Sequence, residues 1–556
     1  MEARLSTALA AAVDARLETA RAEDWSGRLW QGDASLWTGG DEGRWLGWIP
    51  AAEGKQVDQA RLDALAAHAR AYPSAVLLGM GGSSLGPEVL ATILGHADGA
   101  PELHVLDTTD PGQIGAVAAA IDPTRTLFIV SSKSGSTMEP ELLRAYFWDL
   151  AGRDGNRFVA VTDPGSKLEH VAKDDGYAFV FAGDPAIGGR YSVLSAFGMV
   201  PAAVMGLDVR ALYAATVTMV RSCGSDVAPA DNPGLRLGAI IGEAAVAGRD
   251  KLTILPSTSL VPVGAWLEQL LAESTGKQGR GIVPVDLEPL GAIESYGADR
   301  VFVHLHLEGD SDPELEQRLD RLAAAGEPVV RLSLARIEDI GQLFFQWEVA
   351  TAIAGAVIGI DPFDQPDVED AKIATRRLVD AYEASGALEP ETPIAEDEHF
   401  RIFAAGSSDM APTDIKQLLG LHFQSLVPGN YAGFLAYVER DESDAAAIAA
   451  MRAAVRDARG VATVAGFGPR FLHSTGQAYK GGPNSGVFLT ITRDPDPDLP
   501  VPGRKASFGT VQIAQARGDM DVLAERGRRV LRVHLKHGGG GIEALRTAVE
   551  QAVRTV

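Results

Sequence analysis

Two glycine- and hydroxyl-rich segments, each set where an apolar run gives way to a helical pattern, carry residues suited to holding an anion. The first, Gly79-Met80-Gly81-Gly82-Ser83-Ser84-Leu85-Gly86, follows the apolar run 75–78 and brings four glycines to the mouth of a helix. Backbone without Cβ atoms lets a ligand approach closely, and the free N–H groups of a helix start favour negative charge. No acidic residue stands where a GxGxxG dinucleotide frame would need one, which disfavours a nucleotide. By itself such a turn serves tight packing as readily as binding. The second segment, Ser131-Ser132-Lys133-Ser134-Gly135-Ser136-Thr137, offers five hydroxyls and one ammonium just before another helix. An N-cap uses one hydroxyl, so the surplus fits a phosphate. Gly82, Ser83, Ser132, Lys133, Ser134 and Thr137 are therefore the candidate substrate-binding residues.

The surrounding pattern says what must position these loops. Short apolar runs at 75–78, 103–106, 127–130, 158–161 and 178–181 alternate with helical stretches, as in a doubly wound parallel sheet. A second set occupies 252–255, 301–305 and 329–332, closed by a long helix over about 340–358. A third begins near Arg401 and continues through 432–438, 461–465, 487–491 and 530–535. Proline-broken polar stretches at 226–234 and 389–398 mark loops or linkers. The expected organisation is a helical and Trp-rich arm over 1–50, α/β domains over 51–220 and 221–390, and a C-terminal α/β unit over 391–556. The arm, with Trp25, Trp30, Trp37, Trp45 and Trp48, is expected to pack against the first domain. Anion loops at the carboxyl ends of neighbouring parallel strands place a ligand crevice there.

The strand and loop pattern resembles the sugar isomerase domain, a phosphosugar-binding relative of flavodoxin-like folds, over about 70–205 and again over about 235–385. Three further segments resemble the glucose-6-phosphate isomerase family in their order and separation. They are Gly188-Gly189-Arg190-Tyr191-Ser192, Glu273-Ser274-Thr275-Gly276-Lys277, and the run from Pro362-Phe363-Asp364-Gln365-Pro366-Asp367 to Lys372. The resemblance implies reversible interconversion of glucose 6-phosphate and fructose 6-phosphate, a step of glycolysis and gluconeogenesis. Moving a carbonyl between C1 and C2 requires a base that carries a proton between them and a cation that stabilises the enediolate. The resemblance implies that Glu273 is the base, that Arg190 stabilises the enediolate, and that Lys372 helps open the cyclic hexose. An i,i+3 pair of Lys372 with Glu369 on a helix surface is the competing reading. Asp367 stands where the family usually has glycine, so an altered loop is expected before Lys372.

Ring opening also needs a group that moves a proton at the ring oxygen, work suited to histidine. His304 and His306, the histidines between the glutamate and lysine motifs, read as strand residues. Leu472-His473-Ser474-Thr475-Gly476-Gln477 resembles the family's histidine motif, displaced into the C-terminal unit. His473 is thus the fourth candidate catalytic residue. This order resembles the isomerase half of bacterial transaldolase/glucose-6-phosphate isomerase fusions; residues 1–50 are too few for a transaldolase barrel of about 250 residues. In the family that histidine typically enters from the partner of a homodimer. Its displacement here predicts delivery within one chain. A sugar-phosphate sensor, a hexosamine-phosphate isomerase or a dual glucose/mannose phosphate isomerase remain as alternatives on the same fold.

Composition narrows the setting. The 556 residues carry a formal charge of −24, which repels nucleic acid and anionic lipid, so neither is an expected partner. A hexose 6-phosphate must be caught by local N–H groups and a few cations against that field. Cys223 is the sole cysteine, which rules out an intrachain disulfide and any cysteine-held metal centre. No cofactor and no metal are expected near the motifs. With no signal-peptide pattern and no long apolar stretch, the chain is expected to be cytoplasmic.

Overall fold

Strands shielded on both faces by helices read as unbroken apolar runs, and those runs form strands in the computed structural model, which describes residues 1–404 and 414–554. In chain order the strands are β1 (Glu2–Arg4), β2 (Ser74–Leu78), β3 (Glu102–Leu106), β4 (Thr126–Ser131), β5 (Phe158–Thr162) and β6 (Phe179–Ala182). There follow β7 (Lys251–Pro256), β8 (Val283–Val285), β9 (Arg300–Leu307) and β10 (Val329–Leu334). The last group is β11 (Ala395–Glu396), β12 (Phe400–Ala404), β13 (Tyr431–Tyr437), β14 (Ala462–Phe467), β15 (Gly486–Arg493) and β16 (Arg529–Leu535).

These strands make three sheets. The first has the order β3-β2-β4-β5-β6 and is parallel throughout. Its order reverses between β2 and β4, the switch point outside which open α/β sheets bind ligands. Both anion loops leave those two strands. The second sheet, β1-β10-β9-β7-β8, is parallel except for β1, which runs antiparallel to β10. The third, β11-β12-β16-β15-β13-β14, joins four parallel strands to antiparallel β12 and β11.

The parallel α/β sheets are those expected, with one addition: Glu2-Ala3-Arg4 caps the open edge of β10 as an antiparallel strand, where Arg4 also meets Asp320 at 2.6 Å. One expectation needs correction. The Trp-rich arm does not pack on the first sheet's region alone. Trp37 Nε1 donates to the Ala352 carbonyl at 2.8 Å and Trp30 Nε1 to that of Cys223 at 2.8 Å, while Trp48 stacks on Tyr191 and leans on Phe345. The arm therefore spans the seam between the first two sheets.

One apolar core holds that seam, drawing Leu77, Ile129 and Val159 from the first sheet and Ile254, Val301 and Val303 from the second. At its centre lies the helix Ile340–Ile358, apolar on nearly every side and buried along almost its whole length. The third sheet has a separate core around Phe434, Val487, Leu489 and Val533. Burial pushes the Cys223 thiol up to about 12, so it is no nucleophile at neutral pH. Among the described residues no helix is long and apolar enough to cross a membrane.

Candidate active site

The loop after β2 gives up side chains to make room for two neighbours. A Cβ on Gly82 would lie 1.8 Å from the Gly189 carbonyl oxygen, so the loop presses directly on the segment that carries Arg190. Gly81 has φ +56°, and a Cβ there would meet the His473 carbonyl oxygen at 2.7 Å. Any side chain at either position would push apart the elements that bring Arg190 and His473 together. The neighbouring Ser84 hydroxyl donates to buried Asp107 at 2.9 Å, while Arg470 Nε meets the same Asp107 oxygen at 2.9 Å.

The loop after β4 retains free hydroxyls. Thr137 occupies the N-cap position of the helix Met138–Leu150 but makes no side-chain capping bond, and the buried Ser132 hydroxyl has no partner. Ser134 and Ser136 share a 3.1 Å hydrogen bond. Lys133 is less available: its ammonium is 2.5 Å from Asp163 and donates to the Asp184 carbonyl at 3.0 Å, so it pins the loop while lining the cleft.

Arg190 and Glu273 come from opposite sides of the apolar seam. Arg190 sits in the turn Gly189–Tyr191, and Glu273 in the last turn of the helix Val263–Thr275. Nearly every guanidinium donor is fixed. Nε donates to Ser274 at 2.7 Å, Nη2 to the carbonyls of Pro362 and Asp364 at 2.8 Å each, and Nη1 to Gln365 at 2.9 Å. Nη1 also lies 3.4 Å from the Glu273 carboxylate, with side-chain exposures of 1% for the arginine and 13% for the glutamate. The carboxylate thus keeps an open edge beside an immobile cation. Gln269 donates to its other oxygen at 3.0 Å and to the His473 carbonyl at 2.8 Å, so one amide spans both motifs.

Lys277 secures the Pro362–Asp364 segment from below, donating to the carbonyls of Asp361 at 2.7 Å and Asp364 at 2.5 Å and to the Asp364 carboxylate at 2.5 Å. Burial, then the nearby Arg190 charge, lower its ammonium to about 8. Lys372, in the helix Glu369–Ser385, does pair with Glu369 at 3.3 Å, but it also lines the cleft with His473 and Glu273. The Glu369 pair and the position on the cleft wall are thus compatible for one side chain.

His473 arrives in the turn Arg470–His473 that follows β14. Its Nε2 lies 3.0 Å from Glu139, a buried carboxylate in the first turn of the helix Met138–Leu150. Burial opposes ionisation of Glu139, yet the charge and hydrogen bond of His473 outweigh it and hold the carboxyl below its usual value. Gln515 donates to the same Glu139 oxygen at 2.7 Å and accepts from Thr109 at 2.6 Å. An ionised carboxylate can only accept, so Nε2 carries a proton toward Glu139. The contact is made within one chain.

Glu273, Lys372 and His473 face a single cleft of about 310 Å³, lined also by Gly82, Ser83, Ser132, Lys133, Ser134 and Thr137. Arg190 reaches it only through Glu273 and Gln365, which stand on the wall. An adjoining hollow of about 250 Å³ shares Lys372 and His473 and has Glu139 in its wall. Glu139, Gln269 and Gln515 are not among the residues that sequence singles out, and Lys277 enters there only as the end of the glutamate motif. Glu139 has one local signal, its place two residues after Thr137, but an acid in the first helical turn ordinarily reads as a complement to the helix dipole.

Parallel α/β sheets with hydroxyl-rich anion loops at a switch point, facing a carboxylate beside a fixed guanidinium, define a phosphosugar-handling α/β protein. The phosphoglucose isomerase family profile matches residues 66–286. Glucose-6-phosphate isomerase of Rubrobacter xylanophilus is 30% identical over 362 residues, covering 54% of this chain and 81% of that protein. A probable glucose-6-phosphate isomerase of Haloarcula marismortui is 27% identical over 450 residues, covering 72% of this chain and 99% of that one. The chain belongs to the phosphoglucose isomerase family. In fold it is similar to a hypothetical protein of Thermus thermophilus, with a TM-score of 0.58 at 24% identity, covering 68% of this chain and 99% of the other.

Proposed function

We infer that this chain catalyses the reversible isomerisation of glucose 6-phosphate and fructose 6-phosphate through an enediolate. The observation that carries the reading is the Glu273–Arg190 pair at 3.4 Å, beside a cleft whose far wall is made by the two anion loops. In this reading the phosphate lies against Ser132, Ser134 and Thr137 and the helix N-terminus behind them, which attracts an anion despite the chain's negative charge. The sugar then extends toward Gly82, Ser83 and Glu273. Glu273 removes the proton from C2 and returns it to C1, and Arg190 stabilises the charge that develops between these steps. Because the guanidinium is already held by Ser274, Gln365 and two carbonyls, no reorganisation is needed when that charge appears.

Ring opening falls to His473, with Glu139 fixing the imidazole so that Nδ1 accepts the proton of the C1 hydroxyl. Lys372 serves as a donor to the ring oxygen. A spectrophotometric assay coupled to glucose 6-phosphate oxidation, started with fructose 6-phosphate, tests the reading directly. Turnover in the wild type supports it, whereas binding of fructose 6-phosphate without turnover would make the chain a sensor.

A further inference from the structure

His304 and His306, which the isomerase reading leaves unused, stand two residues apart on β9 and therefore on the same face of the sheet. The His304 Nδ1 lies 2.6 Å from the Leu255 carbonyl oxygen, which can only accept. Nδ1 must carry the proton, so Nε2 presents a bare lone pair. That nitrogen is buried and has no hydrogen-bond partner, and the same is true of His306 Nδ1. Both approach one oxygen of Glu316, at 3.5 and 3.8 Å respectively. Glu316 comes from the helix Pro313–Ala324 that packs over this face.

We propose that His304, His306 and Glu316 form a binding site for a divalent first-row transition ion of the zinc class, separate from the isomerase cleft. Their three ligand atoms lie within 4.8 Å of one another. Tetrahedral bonds of about 2.0–2.1 Å to zinc place ligand atoms about 3.3 Å apart, so the carboxylate oxygen stands close to the needed spacing already. Two imidazoles with one carboxylate suit zinc, cobalt or nickel rather than calcium or magnesium. The carbonyl bond to Nδ1 is the outer contact that orients a ligating histidine and fixes its tautomer. A cavity of about 190 Å³, lined by Glu2, Arg4, His304, Glu316, Asp320 and Arg331, gives an ion entry and leaves space for a water ligand. It shares no residue with the isomerase cleft.

Arg331 opposes the ion, since its guanidinium is paired with the second Glu316 oxygen. It leaves the first oxygen facing the histidines but adds positive charge nearby. The site therefore has a built-in brake on affinity, and its removal gives a test of sign. The full chain, stripped with a chelator and dialysed, is titrated with cobalt(II) while its visible absorption is followed, and with zinc by calorimetry. One ion per chain with a d–d band of imidazole ligation is expected. Glu316→Gln, at a part-exposed position, and His306→Asn should each weaken binding by about tenfold or more, whereas Arg331→Gln should tighten it by about tenfold. Zinc should raise the thermal unfolding midpoint of the wild type more than that of Glu316→Gln at the same concentration. Isomerase activity should be the same with and without chelator. Failure of the stripped wild type to take up cobalt, or uptake that is unchanged in Glu316→Gln and His306→Asn, would overturn the proposal.

Discussion

The seam between the first two sheets and the seam that attaches the third are built from different materials. Across the first, Leu77 and Ile129 share one continuous core with Ile254 and Val303 and with the helix Ile340–Ile358. Across the second there is a smaller apolar patch, where Val283 and Val285 meet Tyr431 and Val464, alongside a cluster of buried charge. There Arg300 of β9 is paired with Glu288 at 2.9 Å, and Glu288 accepts from the amide and hydroxyl of Thr463 on β14 at 2.7 and 2.8 Å. Arg452 adds bonds to the carbonyls of Asp286 at 2.7 Å and Leu287 at 3.0 Å. Apolar burial supplies adhesion without direction, whereas buried hydrogen-bonded charge tolerates few alternative geometries. Arg190 and Glu273, the pair proposed for the enediolate step, meet across the first seam, and His473 is delivered across the second. The contrast predicts that enediolate chemistry and ring opening can be damaged separately.

The largest effect is expected from the first seam. Glu273→Gln keeps the shape and the Gln269 contact but removes the base, so kcat should fall by about 10²-fold or more while KM changes little. Steady-state kinetics in the coupled assay measure this, and an unaltered kcat would remove Glu273 from its role. The second seam should yield a smaller and more selective loss. His473→Ala should lower turnover of the cyclic sugar by about 10- to 100-fold, because spontaneous ring opening sets a floor. Exchange of the C2 proton in open-chain substrate, followed by NMR in deuterated solvent, should be affected much less. Equal losses in both measurements would mark His473 as structural.

Lys277 offers an effect of a few-fold whose two readouts have opposite signs. Its ammonium, lowered to about 8 in the fold against an ordinary 10.5, loses its proton across a range where the unfolded chain still holds one. The unfolded state binds more protons between those values, so the contribution of this group to stability rises with pH there. Below about 8 the buried charge is a cost to the fold. Activity should move the other way, since the same charge secures the carbonyl of Asp364 that holds Arg190. An alkaline fall in kcat with a midpoint near 8, absent in Lys277→Met, checks the kinetic half. Denaturant unfolding of wild type and Lys277→Met at neutral and alkaline pH checks the other, with the difference between the two proteins shrinking as pH rises.

The first seam is also the more legible in sequence. Parallel strands covered on both faces announce themselves as apolar runs, and the apolar stretch 340–358 is the span that the central helix occupies. β1, β8 and β11 escape sequence reading because two or three residues such as Glu2-Ala3-Arg4 or Ala395-Glu396 have no periodicity to detect, and their pairing is decided by an open sheet edge elsewhere in the chain. The anion loops are visible because their donors are consecutive. Glu139 is not, since what sets it apart is contact with His473 and Gln515, more than 300 residues away. The arm's packing partner is hidden for the same reason: tryptophans advertise burial but not against what.

Asp367 should produce the smallest effect, and it tests whether charge at the second seam only adheres or also aligns. This residue stands where the family usually has glycine, and its side chain ties the loop before Lys372 to the third sheet's region. Gln477 donates to its carboxylate at 2.6 Å and accepts from its amide at 2.9 Å, and Arg526 pairs with the same carboxylate. Gln477 in turn donates to the Gly276 carbonyl at 2.9 Å, so the histidine motif, the glutamate motif and the lysine loop meet at one amide. Asp367→Gly removes the carboxylate but leaves the backbone bond. The lost bond to a charged acceptor is worth about 1.5–3 kcal/mol at most, and the part-exposed Arg526 pair adds little beyond it because solvent screens it. If the contact aligns the site, kcat/KM for cyclic substrate should drop several-fold while C2 proton exchange in open-chain substrate stays near wild type, as for a mild version of His473→Ala. If it only adheres, both rates should hold and only the unfolding midpoint should fall. Asp370→Asn, which loses its own Arg526 pair at 2.6 Å without touching Gln477, supplies the control and should leave both rates unchanged.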